Sequence, residues 1–384
     1  MDTLIKWPGG KSTEIKHIKT IIPTTFNRYV EPFFGGGALF FHLEPKKAVI
    51  NDICEELISF YRFIADKRYR NDFEEELKKY VKNWNKVSPC ITKFEDPLLN
   101  IYEDFRFNVK LEDEIEKEII SLLDNNLDNF NDLFNEEFCI DKDKMELELK
   151  KGIVSKLKRM KKVDADNKFT RDEVKKNIET GFRSGFYMNF RDVMNRAKFS
   201  QIEISDPKRI ANYYFVREFC YGSMFRFNKK GEFNIPYGGM SYNKKNFEEK
   251  VNKILSPKVR KLLESTVIEN MDFEEFFNKY KFTKDDFVFL DPPYDTTFSE
   301  YQENSFTKSD QKRLANCLYD LEAKFILIIK NTDFIYGLYE DNGFNLALFD
   351  KNYLYNVRGR NVRDVQHLIV HNLSDNQLKL DTVQ

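Results

Sequence analysis

Short apolar, strand-like runs cluster near residues 28–51 and 265–371, while charged, helix-favouring residues fill the stretch from about 68 to 200. FEEELKKYVKNW and KDKMELELKKGIVSKLKRMKK are typical of that middle stretch. Strands gain their partners only by meeting in one sheet, so the two ends of the chain are expected to build one α/β domain around a largely helical insertion. The pattern predicts strands over 28–34, 47–51, 265–269, 286–290, 324–330, 344–349 and 365–371. Strand, turn, helix and strand over the first 65 residues open as a doubly wound sheet does. No room is left for a helix between the last two runs, so they are expected to close the sheet as an antiparallel pair. The expected domains are 1–67 with 251–384 for the sheet and 68–250 for the insertion. The Asn-rich piece LLDNNLDNFNDLFNEEF, residues 122–138, has apolar residues at helical spacing and reads as a helix with a solvated face.

Composition narrows the function classes. A charged fraction of 33 % with a net charge of −1 excludes a uniformly basic nucleic-acid binder, so any DNA-binding face must come from local clusters of Lys and Arg. Most of the 37 Phe read as core. The five Cys are scattered singly and there are only four His, which fits a reduced interior and no metal site. No apolar run approaches the roughly 20 residues that a bilayer span needs, and MDTLIKWPGGK lacks the apolar core of a signal peptide. The cytoplasm, with its nucleoid, is the expected compartment.

Asp291-Pro292-Pro293-Tyr294 directly follows the apolar run FVFL, at the carboxyl end of a predicted strand. Open α/β sheets bind ligands at that end. Two prolines stiffen the backbone and remove two donors, so the Pro292 carbonyl can stand beside the Asp291 carboxylate as a second acceptor. Two adjacent acceptors suit an exocyclic amino group, which offers two donors, and Tyr294 offers a flat face for a base. Alone, the same string is also a rigid turn.

Glu31-Pro32-Phe33-Phe34-Gly35-Gly36-Gly37 places glycines between a strand and a helix, where a ligand can approach the backbone closely. Asp52 follows the next strand, about 20 residues on, and stands where a ribose-hydroxyl acceptor is expected. The glycines do not form G-x-G-x-x-G, which disfavours a pyrophosphate cofactor. A structural turn remains open for the glycines alone. Gly9-Gly10-Lys11-Ser12 imitates the end of a phosphate-binding loop, but that motif would need glycine at Ile5 and a leading strand, so the ATPase reading is rejected.

With these strings in order, the chain resembles the Dam-like, alpha-group family of N6-adenine-specific DNA methyltransferases. The matching pieces are KWPGGK, YVEPFFGGGALFF, the acid of INDI, FRFNKKGEFNIPYG, FLDPPYDTTFSEYQENSFTKSDQKRL, NYLYNVRGR and VQHLIVHN. They cover roughly residues 5–67 and 205–372, and the resemblance is weak across 68–204. It implies a class I methyltransferase, Rossmann-like sheet, S-adenosylmethionine as cofactor and double-stranded DNA as substrate. It further implies that Trp7, Lys11, Glu31, Phe33, Gly35, Gly37, Asp52, Asp272, Phe273 and Asp291 line the cofactor pocket. Asp291, Pro292, Pro293 and Tyr294 would act on a flipped adenine, with direct in-line transfer and no metal. Cytosine N4 or an RNA adenine is an alternative acceptor, and a catalytically silent DNA-binding module is the rival from another class. A cognate restriction endonuclease acting separately is compatible with this, and a monomer is favoured.

The DNA-binding candidates are Arg226, Asn228, Lys229 and Lys230, on a predicted hairpin turning at Lys230-Gly231, with Tyr237 just after it. A β-ribbon can enter a major groove, where Arg or Asn reads purine edges; an ordinary basic turn is the alternative. Arg358 and Arg360 are candidates for the phosphate backbone, and the Ser299–Ser305 loop for closing over the base. The Lys156–Lys162 run reads either as a phosphate track or as a solvated helix face, the latter favoured. GFRSGFYMNFRD, residues 181–192, is open between DNA contact and helix packing.

Overall fold

Arg28 and Asp286 face each other across two neighbouring strands although 258 residues separate them, and they mark how the ends of the chain combine. The guanidinium donates Nε to Oδ1 at 3.0 Å and Nη2 to Oδ2 at 2.7 Å. This fork-on-carboxylate pair fixes the register of the two strands. The computed structural model describes residues 1–10, 15–18, 21–131, 133, 135, 138–164, 168–293, 306–340, 343–352 and 364–374. It divides into two compact units, Met1–Asp66 with Ser256–Gln384, and Lys67–Leu255.

The first unit begins with α1 (Ile15–Ile18), β1 (Arg28–Glu31), α2 (Ala38–Leu43), β2 (Ala48–Asn51) and α3 (Glu55–Ala65). The second unit holds α4 (Lys67–Arg106), α5 (Glu112–Asp124), α6 (Lys142–Asp164), α7 (Arg171–Lys198), α8 (Asp206–Phe219), α9 (Met240–Asn243) and α10 (Phe247–Ile254). The chain then returns to the first unit as α11 (Pro257–Glu264), β3 (Thr266–Glu269), α12 (Phe273–Lys279), β4 (Asp286–Leu290) and α13 (Lys308–Tyr319). It ends with β5 (Lys324–Lys330), α14 (Asp333–Tyr339), β6 (Asn345–Asn352) and β7 (Asp364–His371).

The seven strands form one sheet in the order β3-β2-β1-β4-β5-β7-β6. β1 to β5 run parallel, whereas β7 is antiparallel to both β5 and β6. All seven predicted strands form, and the last two pair as expected. β2 and β4 are buried along their whole length, as expected of strands covered on both faces. One face packs Val30, Val288, Leu290 and Leu327 against Phe276, Leu314 and Tyr339 of α12, α13 and α14. On the other face, the Tyr29 ring lies 6.1 Å from Phe40 of α2 and 5.8 Å from Phe287.

The second unit is a helical body with an aromatic interior. α4 runs 40 residues straight through Pro89 and Pro97, with Tyr80, Trp84, Phe94 and Tyr102 buried along it. Tertiary packing outweighs the loss of two intrahelical hydrogen bonds there. Phe186, Phe190, Phe215 and Phe219 complete the core, and the Trp84 and Phe219 rings approach to 4.2 Å.

α6 and α7 cross where neither can carry a side chain. A Cβ on Gly152 would lie 2.4 Å from the Gly181 carbonyl oxygen, and one on Gly185 2.4 Å from that of Glu148. With Phe182, Phe186, Tyr187 and Phe190 wholly buried, residues 181–192 are resolved in favour of helix packing. Within the lysine run, Lys158 pairs with Glu112 and Glu116, and Lys161 donates to Asn108 at 2.8 Å.

One expectation needs correction. Residues 122–138 are not one helix: α5 ends at Asp124, and Leu127–Phe130 is a separate 3-10 turn. Asn126 donates its side-chain amide to the Leu122 carbonyl at 2.8 Å, and such local side-chain bonds compete with the helix ladder. The second boundary between units falls after Leu255, because α10 packs on α4 and takes residues 251–255 with it. Among the described residues no helix is long and apolar enough to cross a membrane.

Candidate active site

The strand order reverses beside β1: the chain moves outward from β1 through β2 to β3, then resumes at β4 on the other flank. The carboxyl ends of β1 and β4 therefore border the crevice where open α/β sheets take ligands. Glu31 ends β1, Asp52 follows β2 and Asp291 follows β4. Sheet order thus brings together three acids that are far apart in sequence.

Glu31 is 2 % exposed and accepts a hydrogen bond from the Tyr29 hydroxyl at 2.8 Å. Burial drives its carboxyl well above the usual carboxylate range; the Tyr29 bond opposes this, while the charges of Asp291 and Asp52 add to it. Asp52 is also raised by burial, against the pull of backbone N–H groups from Cys54, Gly35 and Ile53. Its Oδ2 accepts the Gly35 N–H at 2.8 Å and its Oδ1 the Cys54 N–H at 2.9 Å. Asp52 therefore first shapes the turn, and only its remaining lone pairs are available to a ligand.

Gly35 and Gly37 have φ of +50° and +63°, in the left-handed region. A Cβ on Gly35 would lie 2.7 Å from Trp7 Cδ1, and one on Gly37 2.4 Å from Phe34 Cζ. Trp7 thus lies against the turn, as a pocket-lining residue must. Phe33, Phe273 and Phe306 form an aromatic cluster with ring separations of 5.4–5.6 Å.

Asp272 caps α12 by accepting the Glu274 N–H at 2.9 Å, and pairs with Arg313 at 2.6 Å. Arg313 also reaches Glu274 and Asp310 and covers the Phe273 ring at 4.7 Å. The acid expected near the cofactor is thus committed to a network that steadies α12 against α13.

Several organising residues carried no motif. Asn51 donates to the Pro32 and Met271 carbonyls at 3.1 and 3.0 Å and accepts the Met271 N–H at 3.0 Å, tying together the segments that follow β1 and β3. Tyr61 donates to the Gly35 carbonyl at 3.2 Å. Gln311, wholly buried, donates to the Pro293 carbonyl at 3.3 Å. Asn51 could have been suspected as a polar residue closing an apolar strand; Tyr61 and Gln311 lie in ordinary helical stretches and left no signal. Pro292 is buried and Pro293 exposed. Lys11, Tyr294, Ser299–Ser305, Arg358 and Arg360 lie outside the described residues.

In the second unit, residues 225–238 form the predicted hairpin, closed by the Phe227↔Phe233 bridge and turning through Gly231 at φ +75°. Arg226, Lys229 and Lys230 are exposed on it. Two candidates are corrected. Asn228 accepts the N–H groups of Lys230 and Glu232 and donates to the Glu232 carboxylate at 2.6 Å, so its side chain builds the turn. Tyr237 is 6 % exposed among Trp84, Tyr187 and Phe219 and donates to Asn243 at 2.9 Å; it is a core residue.

A sheet of this order, with an acid after each of three central strands and Asp-Pro-Pro closing the third, defines a class I methyltransferase fold. The family model for D12 class N6 adenine-specific DNA methyltransferase matches residues 7–90 and 153–356, and the chain belongs to that family. It is an enzyme that methylates adenine in DNA. The match reaches into 68–90 and 153–204, where the motif resemblance is weak. The type II methyltransferase M.CviBI of Paramecium bursaria Chlorella virus NC1A is 26 % identical over 97 % of this chain and 100 % of its own length. M.MjaIII of Methanocaldococcus jannaschii is 28 % identical over 96 % of this chain and 98 % of its own. A DNA adenine methylase of Vibrio cholerae is 29 % identical over 44 % of this chain and 61 % of its own.

Proposed function

We propose that this enzyme takes its methyl group from S-adenosylmethionine and places it, by direct in-line transfer, on N6 of an adenine flipped out of double-stranded DNA. The observation that carries this is the meeting of Glu31, Asp52 and Asp291 where the strand order reverses, with no Lys or Arg paired to Glu31 or Asp52 among the described residues. A crowded acidic crevice disfavours a pyrophosphate and suits a ligand bearing a sulfonium and an ammonium. Trp7, Glu31, Gly35, Gly37 and Asp52 would hold the cofactor, with Phe33 and Phe273 beside its adenine and Lys11 contributing near the turn. When bound, S-adenosylmethionine supplies an electrophilic methyl on a positively charged sulfur.

Asp291 and the Pro292 carbonyl accept the two N–H groups of the target amine. This favours a pyramidal nitrogen whose lone pair is less delocalised into the ring. The Asp291 carboxylate then stabilises the positive charge that grows on nitrogen, and the methylated amine gives up one of its two protons to solvent to become neutral. Tyr294 stacks on the flipped base, a contact worth roughly 1–3 kcal/mol. The first unit is the catalytic domain and the second the target-recognition domain, with Arg226, Lys229 and Lys230 meeting DNA from the hairpin and Arg358 and Arg360 meeting phosphates. One chain supplies every group named, so a monomer suffices. The type II names of M.CviBI and M.MjaIII support a modification role opposite a separate restriction endonuclease. Asp291→Ala should keep DNA binding and lose transfer by several orders of magnitude; near-normal turnover in a radiolabelled methyl assay would refute the role of Asp291. Calorimetry should detect S-adenosylmethionine binding, and none at millimolar cofactor would remove the cofactor assignment.

A further inference from the structure

One face of α7 grips the backbone of the hairpin. Tyr187, Arg191, Asn195 and Lys198 are spaced four, four and three residues apart, which places them in one stripe. Each sends a side-chain donor to a carbonyl of the returning arm. Tyr187 and Arg191 reach the Ile235 oxygen at 2.9 and 3.2 Å, Asn195 that of Phe233 at 3.1 Å, and Lys198 that of Gly231 at 3.1 Å. The acceptors, at 231, 233 and 235, alternate as the carbonyls on one edge of an extended chain do. From Arg191 to Asn195 four helical residues rise about 6 Å while the arm advances two residues, from Ile235 to Phe233, about 6.6 Å, so that step matches and sets Asn195 opposite Phe233.

Asn195 differs from the other three. Its Nδ2 donates to the Phe233 carbonyl while its Oδ1 accepts the Phe233 N–H at 2.8 Å. The side-chain amide thereby reproduces both bonds that a neighbouring strand would make to Phe233. The other edge of this arm faces the first arm, where Asn228 donates to Glu232 and Asn234 to Arg226. The arm is thus held from both edges, in one register, with Lys229 and Lys230 exposed at the turn and Arg226 exposed on the first arm, its Nε donating to Asn234 Oδ1 at 3.0 Å.

We propose that Asn195 is a positioning residue for target-site selection: it docks the hairpin on α7 and so fixes where the exposed cations meet DNA. This rests on the hairpin contacting DNA, as proposed above. Nothing in α7 need touch DNA for it to hold. Without the Asn195 amide, Phe233 loses two bonds, the arm splays, and several base-contacting geometries become available where one was.

The test begins by mapping methylated sites by single-molecule sequencing of DNA from a host expressing the enzyme. Duplexes carrying that site, or the site with one base pair changed, are then compared for the wild type, Asn195→Ala, Asn195→Asp and Arg226→Ala. Asn195→Asp keeps the acceptor for the Phe233 N–H, removes the donor, and is nearly isosteric, so it guards against a folding failure of the alanine variant. We expect faster hydrogen exchange at residues 231–235 in both Asn195 variants and a KM for DNA that rises more than kcat falls. Discrimination against the altered site should weaken about tenfold, the scale of one lost base-edge contact. Unchanged exchange, or faster exchange with discrimination and KM intact while Arg226→Ala alters discrimination, would overturn the positioning role. If Arg226→Ala and Asn195→Ala both leave DNA recognition intact, it is the DNA-contacting role of the hairpin that fails.

Discussion

Replacing Gly185 by alanine should destabilise the helical unit by about 2 kcal/mol. The new Cβ would lie 2.4 Å from the Glu148 carbonyl oxygen, 2.7 Å from Leu149 Cα and 2.9 Å from the Glu148 carbonyl carbon. Ordinary contact starts near 3.4 Å, so α6 and α7 must separate by about 1 Å and forfeit part of the dispersion energy between them. Overpacking a filled interior costs about 1–3 kcal/mol, and backbone obstacles put this case at the upper end. Alanine returns about 1 kcal/mol through its better helix propensity. Trp7 and Trp84 are the only tryptophans, and Trp84 lies in the core of this unit, 2 % exposed. In a Trp7→Phe background, urea unfolding followed by fluorescence therefore reports on the unit directly. The midpoint should fall by about 1 M at an m-value of about 2 kcal/mol/M. Gly337, within α14, is the opposite case: the nearest atom to its Cβ would be 4.0 Å away, so Gly337→Ala should stabilise the sheet unit by about 0.5–1 kcal/mol. A Gly185→Ala protein unfolding at or above the wild-type midpoint, with unchanged m-value, would refute the close-crossing argument.

Gly35→Ala should lower S-adenosylmethionine affinity by at least about tenfold in calorimetry, because a left-handed φ of +50° and the Trp7 ring both oppose a side chain there; wild-type affinity would show that the turn yields. Glu31 makes a pH prediction: because burial raises its folded pKa, its contribution is fully present below the unfolded pKa and is lost as pH rises through the folded value. The melting temperature of wild type relative to Glu31→Gln should therefore fall as pH rises through that range, and parallel curves would mean that the side chain is not held neutral.

The strands and the Gly35–Gly37 turn were legible because their signals are local: apolar runs of four to eight residues, glycines at a strand end, and an acid at the end of the next strand. The Asp291-Pro292-Pro293 string announced itself in the same way. In the Asn-rich segment apolar spacing alone predicts a helix, because it carries no sign of the competing bond from the Asn126 side chain to the Leu122 carbonyl. Asn228 and Tyr237 were assigned to DNA because residue type says what a side chain can do and not whether it is engaged; one builds the turn and the other lies in the core.

Local pattern thus determined the alternation of elements, the interruption of the α/β domain and the chemical vocabulary of the crevice. Tertiary structure alone decided that Glu31, Asp52 and Asp291 meet, that Arg313 claims Asp272, and that Asn195 holds Phe233. The physical reason is that strand order, helix crossing and burial depend on packing between residues tens to hundreds of positions apart, whereas propensity and turn chemistry act over only a few.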